Sequence, residues 1–386
     1  MTIVHVTQYY LPDLGYQEVH LARAQVKAGH RVVVLTSDER PNLSMFPAHA
    51  SSTTDERQED GVQVVRMKAR HIGNRLVLRG LTQELQSLHP DWVIAHSLMT
   101  LTTLTVCQAR YQRKFTGWLT IDDHTNGSNR RPGLAADLVY AIYKKFLTPW
   151  VLGICNDFVA VTSETAGILR NQFGVPERLI RLVPLGADAN LFRFDASGRA
   201  AVRARLEWRQ DAVVVAYAGK LLPEKRVLEL VEAMEPLAAA DASIRLLIVG
   251  SGPVAYTDEL NRRIRTSPHD WARLIPAVPN SELPALLSAA DIGVWPGTES
   301  IVHLEAMSCG LPIIIRDLAS LRDVVAGGAG LLTSGKPDDI RAKLRDLLTN
   351  ADLRQSIRQR ARSKVETQLC WKRLAERFEP NWKGQV

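Results

Sequence analysis

The segment IVHVTQYYLPDLGYQEVHLARAQVKAGHRVVVLTSD, residues 3–38, is the clearest indication of the fold class. Its first residues are apolar and predict a buried strand that ends in a proline-containing loop. Val19, Ala22 and Val26 then recur at helical spacing, and Gly29 ends the helix. The next run, RVVVLTSD, is β-branched and almost wholly apolar, as in a parallel strand that is buried on both faces. The segment therefore predicts a strand–helix–strand unit.

The same alternation of strands and helices continues along the chain, with one interruption. Residues 186–205 hold turn formers and charges but no strand, and predict a linker followed by the first helix of a second domain. We therefore predict two Rossmann-like α/β domains over residues 1–190 and 206–365, with a C-terminal helix in 366–386 that packs back on the first domain. Such sheets bind ligands at the carboxyl ends of their strands, so we expect the two domains to face each other across a cleft.

Composition narrows the classes of partner. The chain has 386 residues, a net charge of +7 and a pI of about 9.3, which suits phosphates, nucleic acids or an anionic membrane surface. The basic residues are not interleaved with aromatic ones and no nucleic-acid-binding module is recognisable, so we expect no nucleic-acid partner. The sequence has no signal-peptide pattern and no run of about 20 apolar residues, which predicts a cytoplasmic protein. The four scattered cysteines are expected to be reduced thiols: Cys107, Cys155, Cys309 and Cys370.

Three loops at predicted strand ends carry the residues for a phosphate site. AGKLLPEK, residues 218–225, combines Gly219 with Lys220 and Lys225, which could neutralise phosphate oxygens or could simply be surface lysines. IVGSGP, residues 248–253, ends in a glycine-rich turn that includes Gly252. WPGTESIVHLEAMSCGLPII, residues 295–314, leads from a strand into a helix that starts near Val302, where amides favour an anion or hydroxyl groups. The three loops follow strands of one sheet and are expected to line one wall of a site.

Nearly the whole chain resembles a retaining glycosyltransferase of the GT-B fold, of the family-four or group 1 type. The resemblance lies in residues 9–38, RLVPLGADANLF (181–192), YAGKLLPEKRVLELVEAM (217–234), LLIVGSGP (246–253), SELPALLSAADIGVWPG (281–297), SIVHLEAMSCGLPII (300–314) and CWKRLAERFE (370–379). It implies an enzyme that transfers a sugar from a nucleoside-diphosphate donor, most often UDP- or GDP-linked, to an acceptor hydroxyl with retention of anomeric configuration. It also implies no cofactor and no catalytic metal, and the sequence has no DxD motif in a suitable loop.

The resemblance assigns roles to individual residues. It implies that Lys220 and Lys225 grip the donor diphosphate, although the first of the two is usually arginine, so bidentate geometry is lost. His124, in the sequence IDDH, matches the histidine that lies over the donor sugar. Gly15 matches one of two glycines near the donor phosphates, and Tyr16 replaces the second. The remaining donor-binding positions are implied to be Gly219, Gly252, Gly297, Thr298, Ser300, Ile301 and Val302.

The glutamates of the third loop depart from the family pattern. The usual pair has seven residues between its members, whereas Glu299 and Glu305 have five, and Gly297 stands eight before Glu305. Glu305 is implied to accept hydrogen bonds from the ribose hydroxyls, although a glutamate at a helix start can also serve the helix dipole alone. We expect Glu299 to take over the contact with the donor sugar, or else to be a solvent-facing or capping residue.

Other polar and aromatic residues leave alternatives open. His96 either faces the site or is a satisfied structural histidine, His303 faces either solvent or the ribose, and Trp295 is either packed or a stacking platform. A cluster of basic residues and the mixed segment RRPGLAADLVYAIYKKFLTPW, residues 130–150, form either a solvated face or a surface for an anionic membrane. The cluster comprises Arg66, Lys68, Arg70, His71, Arg75 and Arg79; Arg130, Arg131, Lys144 and Lys145 carry the charge of the segment.

The sequence thus favours a glycosyltransferase of polysaccharide, glycolipid or other glycoconjugate synthesis, with a glycan or lipid-linked acceptor and peripheral contact with the inner face of the membrane. The alternative is a non-catalytic nucleotide- or sugar-binding protein on the same scaffold, because a fold alone does not establish an activity. An epimerase or a phosphorylase would share the two-domain layout. A phosphorylase, however, should carry a lysine for pyridoxal phosphate in a C-terminal context that this sequence lacks.

Overall fold

A computed structural model describes residues 1–12, 15–39, 57–73, 75–125, 134–265 and 270–380, with the backbone alone at 57–59 and 134–136. The chain forms two compact units. The first unit contains the described residues up to Leu185 together with the C-terminal segment that begins at Trp371, and the second runs from Gly186 to Cys370. Both are α/β units built on a mainly parallel sheet, as the alternation of elements predicts.

The first unit contains an eight-stranded sheet with the order β10-β9-β8-β7-β1-β2-β4-β3, parallel except for β3. Its strands are β1 Thr2–Val6, β2 Arg31–Ser37, β3 Arg57–Glu59, β4 Val62–Met67, β7 Trp92–His96, β8 Trp118–Asp123, β9 Asp157–Ala160 and β10 Ile180–Leu182. The short hairpin of β5 Ala69–Ile72 and β6 Arg75–Leu78 lies outside this sheet. The sequence did not show this hairpin, because its basic residues hide the alternation.

Helices complete the first unit. They are α1 Gln17–Lys27, α2 Leu81–Leu88, α3 Leu101–Tyr111, α4 Leu134–Ile142, α5 Thr148–Leu152, α6 Ser163–Ile168 and, after the second unit, α15 Trp371–Phe378. A π-helical turn, Tyr143–Leu147, joins α4 to α5, and another, Leu169–Phe173, follows α6. The C-terminal helix packs on α1, where the ring of Trp371 stacks on His20. Arg181 donates to the carbonyls of Arg377, Phe378 and Glu379 and so ties the end of α15 to β10.

The second unit has a parallel six-stranded sheet with the order β13-β12-β11-β14-β15-β16. Its strands are β11 Val213–Ala218, β12 Ile244–Val249, β13 Ala272–Ile275, β14 Ile292–Trp295, β15 Ile313–Arg316 and β16 Leu331–Thr333. Its helices are α7 Ala196–Arg205, α8 Val227–Ala240, α9 Val254–Arg265, α10 Leu283–Ala289, α11 Val302–Ser308, α12 Ala319–Val325, α13 Pro337–Thr349 and α14 Ala351–Lys364. Strand β11 is central, so the loops after β11, β12 and β14 leave the sheet side by side.

A buried ion pair anchors the linker helix to this sheet. Arg203 of α7 is fully buried and donates to Asp291, to Ala289 and to the carbonyls that precede β11. Arg199 donates to the other oxygen of the same carboxylate at 2.8 Å. A buried arginine needs such partners because an unpaired charge in the interior is very costly. The linker is therefore fixed to the second sheet as part of one unit.

Candidate functional site

The three loops that the sequence singles out lie together at the carboxyl edge of the second sheet. The amide of Gly219 donates to Val249 O at 2.9 Å, and the amide of Leu221 donates to Ser251 O at 3.0 Å, so the loops after β11 and β12 run as a pair. On the other side of the first of these loops, the amide of Thr298 donates to Glu224 O at 3.1 Å. The prediction that these loops share one edge is confirmed.

The glycines of these loops are required by the contacts between the loops. A Cβ atom on Gly250 would lie 1.9 Å from Gly219 O, and one on Gly252 would lie 1.9 Å from Leu221 O. A Cβ on Gly297 would lie 2.3 Å from Glu224 O. Real Cβ contacts are never so short, and the atoms in the way are backbone. Glycine is therefore needed at these three positions because the backbone of the neighbouring loop passes there.

Lys225 joins two of the loops. It ends a short 3-10 turn, Pro223–Lys225, and its Nζ donates to Glu299 O at 2.5 Å and to Thr298 O at 3.4 Å. Burial lowers the pKa of the ammonium group, while the carboxylates of Glu299 and Glu224 oppose that shift. Lys220 is half-buried in the same loop. The ammonium group of Lys225 thus contacts the start of the third loop, and Lys220 lies in the same loop as Lys225.

The third loop already uses some of its amides. Thr298 N is bonded to Glu224 O, and Val302 N donates to Ser300 Oγ at 3.3 Å. Ile301 precedes α11, and its carbonyl accepts from Leu304 N at 2.9 Å. Fewer backbone amides are therefore available to a ligand at the start of α11 than the sequence predicts, because those of Thr298 and Val302 are already bonded.

Glu299 is partly buried, and its side chain is bonded to a neighbouring helix. Its Oε1 accepts a hydrogen bond of 2.6 Å from the hydroxyl of Ser320, which lies in the first turn of α12. A carboxylate near a helix start also gains from the positive end of the dipole. The side chain is thus fixed by a partner that the sequence did not reveal, because that partner lies 21 residues away.

Glu305 is buried in the first turn of α11, with 2% of its surface exposed. Burial raises the pKa of its carboxyl to about 8, although a hydrogen bond from the side chain of Asn280 opposes the shift. A carboxyl group in this state carries its proton at neutral pH. A ligand that donates hydrogen bonds would favour the ionised form instead.

The rings of His303 and Trp295 pack edge to face, with their centroids 6.5 Å apart. His303 is 3% exposed, so the alternative that it faces solvent is wrong. Burial, with the charge of Lys225 added, lowers its pKa to about 3, and its Nδ1 has no hydrogen-bond partner among the described residues. Trp295 is buried and its indole N–H donates to Ala218 O at 2.8 Å, which makes it a packing residue of the sheet.

The first unit carries its own polar cluster, at the carboxyl ends of β7 and β8. His124 follows β8, and its Nε2 lies 2.9 Å from Asp122 Oδ2. The same oxygen lies 2.9 Å from His96 Nδ1 and 3.1 Å from Gln17 Nε2. His96 is therefore a satisfied buried histidine that is linked to His124 through one carboxylate. Gly15, with a φ of +58°, and the half-buried Tyr16 lead into α1 just before Gln17.

Sequence reasoning missed most of this cluster. Asp122 stands two residues before His124, and alternate residues of a strand share a face, so spacing could have found it. His96 and Asp122 are direct neighbours in the register of β7 and β8. Glu18 of α1 acts electrostatically on His124 and His96, and burial raises its pKa. The available signal was the presence of polar residues at the ends of otherwise mostly apolar strands: His96 in β7 and Asp122 in β8.

The group of His96, Asp122 and His124 is the one in the described part of the chain whose ligand atoms lie close enough for a metal ion. The nitrogens that face Asp122 do so at hydrogen-bond distance, which places a hydrogen on each of them. Metal binding through those nitrogens would require the hydrogens to leave. The arrangement is therefore a hydrogen-bonded cluster.

The two surfaces considered for a membrane differ in the structure. On the basic hairpin, Lys68 pairs with Asp38, His71 pairs with Glu39, and Arg75 donates to Met99 O. In contrast, the helical segment from α4 to the π turn exposes a series of large apolar side chains: Leu138, Val139, Ile142 and Phe146. Arg130 and Arg131 lie outside the described residues. No helix in the described ranges has the length and apolarity to span a bilayer.

Comparisons with known proteins agree with this architecture. The family described as Glycosyl transferases group 1 matches residues 198–364, and the family described as Glycosyltransferase Family 4 matches residues 18–191. A solved structure of Anabaena HepE in complex with UDP superposes with a TM-score of 0.75 at 17% identity, over 97% of this chain and 98% of that one. Sucrose-phosphate synthase from Thermosynechococcus elongatus gives 0.71 at 18% identity, over 97% and 96%. The fold is GT-B.

Two curated relatives extend the comparison. The GDP-mannose-dependent alpha-(1-6)-phosphatidylinositol dimannoside mannosyltransferase of Mycobacterium tuberculosis is 23% identical over 97% of this chain and 94% of its own length. The D-inositol 3-phosphate glycosyltransferase of Geodermatophilus obscurus is 32% identical over 53% of this chain and 48% of its own length. Each family model matches a little under half of the chain, one in each unit, and together with the relatives they support the group 1 GT-B glycosyltransferase that is expected from the sequence.

Proposed function

We propose that the protein is a retaining, metal-independent glycosyltransferase that moves a sugar from a nucleoside-diphosphate donor to a hydroxyl group of a lipid-linked or glycan acceptor. The relative from Mycobacterium tuberculosis is named for GDP-mannose and a phosphatidylinositol glycolipid, and it matches almost the full chain. GDP-mannose is therefore the first donor to test and an inositol lipid the first acceptor. UDP-sugars come next, because HepE was solved with UDP.

The observation that carries the proposal is the loop edge of the second sheet, where Lys225 lies over the start of a loop that leads to buried Glu305. We assign the donor diphosphate to Lys220 and Lys225 and the ribose hydroxyls to Glu305. A preorganised cation at a developing negative charge is a large contribution to catalysis, since it needs no rearrangement during reaction. We assign Glu299, fixed by Ser320, to the donor sugar.

In the proposed reaction the bond between the anomeric carbon and the diphosphate oxygen breaks. The acceptor oxygen then bonds to the same face of the anomeric carbon, and its proton passes to the departing phosphate. This step balances without a dedicated base. Gly15 and His124 are assigned to the donor phosphate and the sugar, as the family resemblance implies.

A bilayer is the proposed source of the acceptor, and we propose that the exposed face of residues 138–146 contacts it. Leu138 and Phe146 are 62% and 63% exposed, and Lys144 and Lys145 lie beside them in the chain. An amphipathic helix with apolar and basic residues binds in the plane of an anionic interface. Because the hairpin cations are partly paired with carboxylates, we assign the contact to this helix.

Co-sedimentation with vesicles tests the membrane contact. Wild-type protein should bind phosphatidylglycerol vesicles more strongly than phosphatidylcholine vesicles. Leu138→Ser with Phe146→Ser should lose most of that binding. Val254→Ser is the matched control, because Val254 is 76% exposed in the second unit and should not matter. Equal binding by all three proteins would contradict the assignment.

A panel of nucleotide sugars tests the donor site. A bound donor raises the melting temperature by mass action, so the true donor should stand out in a thermal-shift screen. Slow release of the nucleoside diphosphate from that donor would separate an enzyme from a non-catalytic binding protein. Stabilisation without any release or transfer, with acceptors supplied, would favour the binding protein.

A further inference from the structure

A chain of buried polar side chains runs through the apolar first sheet and ends at His124. His5 of β1 lies with its Nδ1 3.1 Å from His96 Nε2, and the two rings stack with centroids 5.3 Å apart. His96 is bonded to Asp122, and Asp122 to His124. His5, His96 and Asp122 are all buried. Buried polar groups at such density are retained only if their hydrogen bonds are made.

One carboxylate oxygen, Asp122 Oδ2, accepts most of the hydrogen bonds in this chain of side chains. Asp122 Oδ2 accepts from His96, His124 and Gln17, while Oδ1 is buried without a partner among the described residues. An ionised carboxylate only accepts hydrogen bonds, so both imidazoles must present a hydrogen to it. The ring of His124 is therefore fixed by Nε2, and the ring of His96 by Nδ1.

The far end of the chain is anchored on α1. Gln25 Oε1 lies 2.6 Å from His5 Nε2, and Gln17 of the same helix reaches Asp122. If the Gln25 oxygen accepts, His5 donates through Nε2 and His96 must donate through both nitrogens. If the amide is turned, His5 donates to His96 instead. In both arrangements Asp122 keeps its hydrogen bonds from His96 and His124.

The charged groups that act on His124 come from two elements, since Asp122 and Asp123 lie on β8 and Glu18 lies on α1. His96 of β7 acts on Asp122. Burial alone would lower the pKa of His124. The charge and hydrogen bond of Asp122, aided by Glu18 and Asp123, outweigh burial and raise this pKa to about 9. The same contacts hold the pKa of Asp122 well below its ordinary value despite burial.

We propose that Asp122 is a positioning residue for transfer: it holds His124 in one orientation as an imidazolium, and the buried His5–His96 pair fixes Asp122 in turn. The proposed function assigns His124 to the donor sugar, and a charged, oriented donor makes stronger hydrogen bonds to a ligand than a neutral one. The kinetic part of this inference rests on the proposed function. The structural part, that Asp122 keeps His124 charged, is independent of the proposed function.

Nuclear magnetic resonance of histidine labelled at Cε1 tests the structural part in the unliganded protein. The signal of His124, assigned by its loss in His124→Gln, should titrate well above the ordinary value of about 6.5. In Asp122→Asn it should return toward that value. Asp157→Asn is the matched control: Asp157 is a buried carboxylate of the same sheet, bonded to Trp118, Thr120 and Arg181, and does not touch His124. A wild-type His124 that titrates near 6.5 would overturn the proposal without any variant.

The pH profile of transfer tests the kinetic part. If the imidazolium form is needed, Asp122→Asn should transfer nearly as well as wild type at pH 6, apart from any loss of orientation that is the same at every pH. At pH 8 it should lose a further factor of about thirty, because its His124 is then mostly neutral. Asp157→Asn should show no such dependence. A loss in Asp122→Asn that is equal at all pH values, with an unmoved His124 titration, would mean that Asp122 only supports the fold. Absence of transfer by the wild type with every donor would contradict the proposed function and leave the titration to decide the role of Asp122.

Discussion

Binding of the nucleoside diphosphate should release a proton from Glu305. This carboxyl is buried, and its pKa in the free protein is raised to about 8 by burial. Ribose hydroxyls that donate to it would favour the carboxylate and lower the pKa in the complex. If the pKa returns to the ordinary 4.5 in the complex, about 0.9 proton leaves at pH 7, and affinity rises about fifty-fold between pH 6 and pH 8.

Isothermal titration calorimetry measures this release. GDP or UDP is titrated into the protein in two buffers that differ in ionisation enthalpy, and the difference in heat gives the number of protons. The phosphate of the ligand also titrates, so Glu305→Gln serves as the matched control: it keeps the shape of the side chain but has no proton to lose. The difference between the two proteins belongs to Glu305. His303 does not contribute in this range, because burial lowers its pKa to about 3.

Equal proton release by wild type and Glu305→Gln would contradict this prediction. It would mean that Glu305 either stays protonated in the complex or does not meet the ligand. Loss of affinity in Glu305→Gln without a change in proton release would point to a contact made by the protonated carboxyl.

Further predictions concern the same loop edge. Lys225→Ala should lower kcat by one to a few orders of magnitude, on the order of 2–4 kcal/mol of transition-state stabilisation, whereas Lys336→Ala, a change at an exposed lysine, should have little effect. Glu299→Gln should impair transfer more than it weakens binding of the free nucleoside diphosphate; Ser320→Ala should do the same to a smaller degree, and unaltered turnover in both would remove Glu299 from the sugar site. EDTA should leave transfer unchanged, and a loss that Mg²⁺ or Mn²⁺ restores would contradict metal independence. The raised pKa of Glu305 stabilises the fold at low pH and costs stability as pH rises toward 8, so Glu305→Gln should gain on the order of 3 kcal/mol relative to wild type between pH 4.5 and 7 in denaturant unfolding.

Much of the fold could be predicted from the sequence, because a buried parallel strand leaves a nearly continuous apolar run. Strands β1, β2 and β11 follow from their β-branched residues alone. The π turns could not be predicted, since nothing in Tyr143–Leu147 distinguishes a wider turn from an α-helical one. The sequence predicts that a helix within 366–386 packs on the first domain, and in the structure the first unit resumes at Trp371.

The sequence indicates candidate site residues where charged side chains occur in the loops that follow predicted strands, as Lys225 and Glu305 do. The loop position of Glu299 is also visible in the sequence. Its hydrogen bond to Ser320 is not, because that contact depends on where α12 begins, which no local pattern encodes. The need for glycine at position 252 is likewise not visible in the sequence, because its neighbour is the backbone of Leu221, a contact that exists only in the folded sheet.

The polar cluster of the first unit shows the limit most clearly. The sequence indicates His124 and His96 separately, but it does not show that the carboxylate of Asp122 joins them. Joining them requires the register of β7 against β8, where His96 and Asp122 are paired. Register is a property of the sheet, and one strand alone does not reveal it.

A transfer assay tests most directly whether the protein is a retaining glycosyltransferase. It uses the purified chain, GDP-mannose or the donor chosen by the thermal screen, and phosphatidylinositol lipids as acceptor. The product is isolated, and its new glycosidic bond is examined by nuclear magnetic resonance. We expect transfer with the anomeric configuration of the donor kept, and loss of nearly all transfer in Lys225→Ala. An inverted product would contradict the retaining mechanism. Transfer that survives unchanged in Lys225→Ala would contradict the assignment of the donor site to this loop edge.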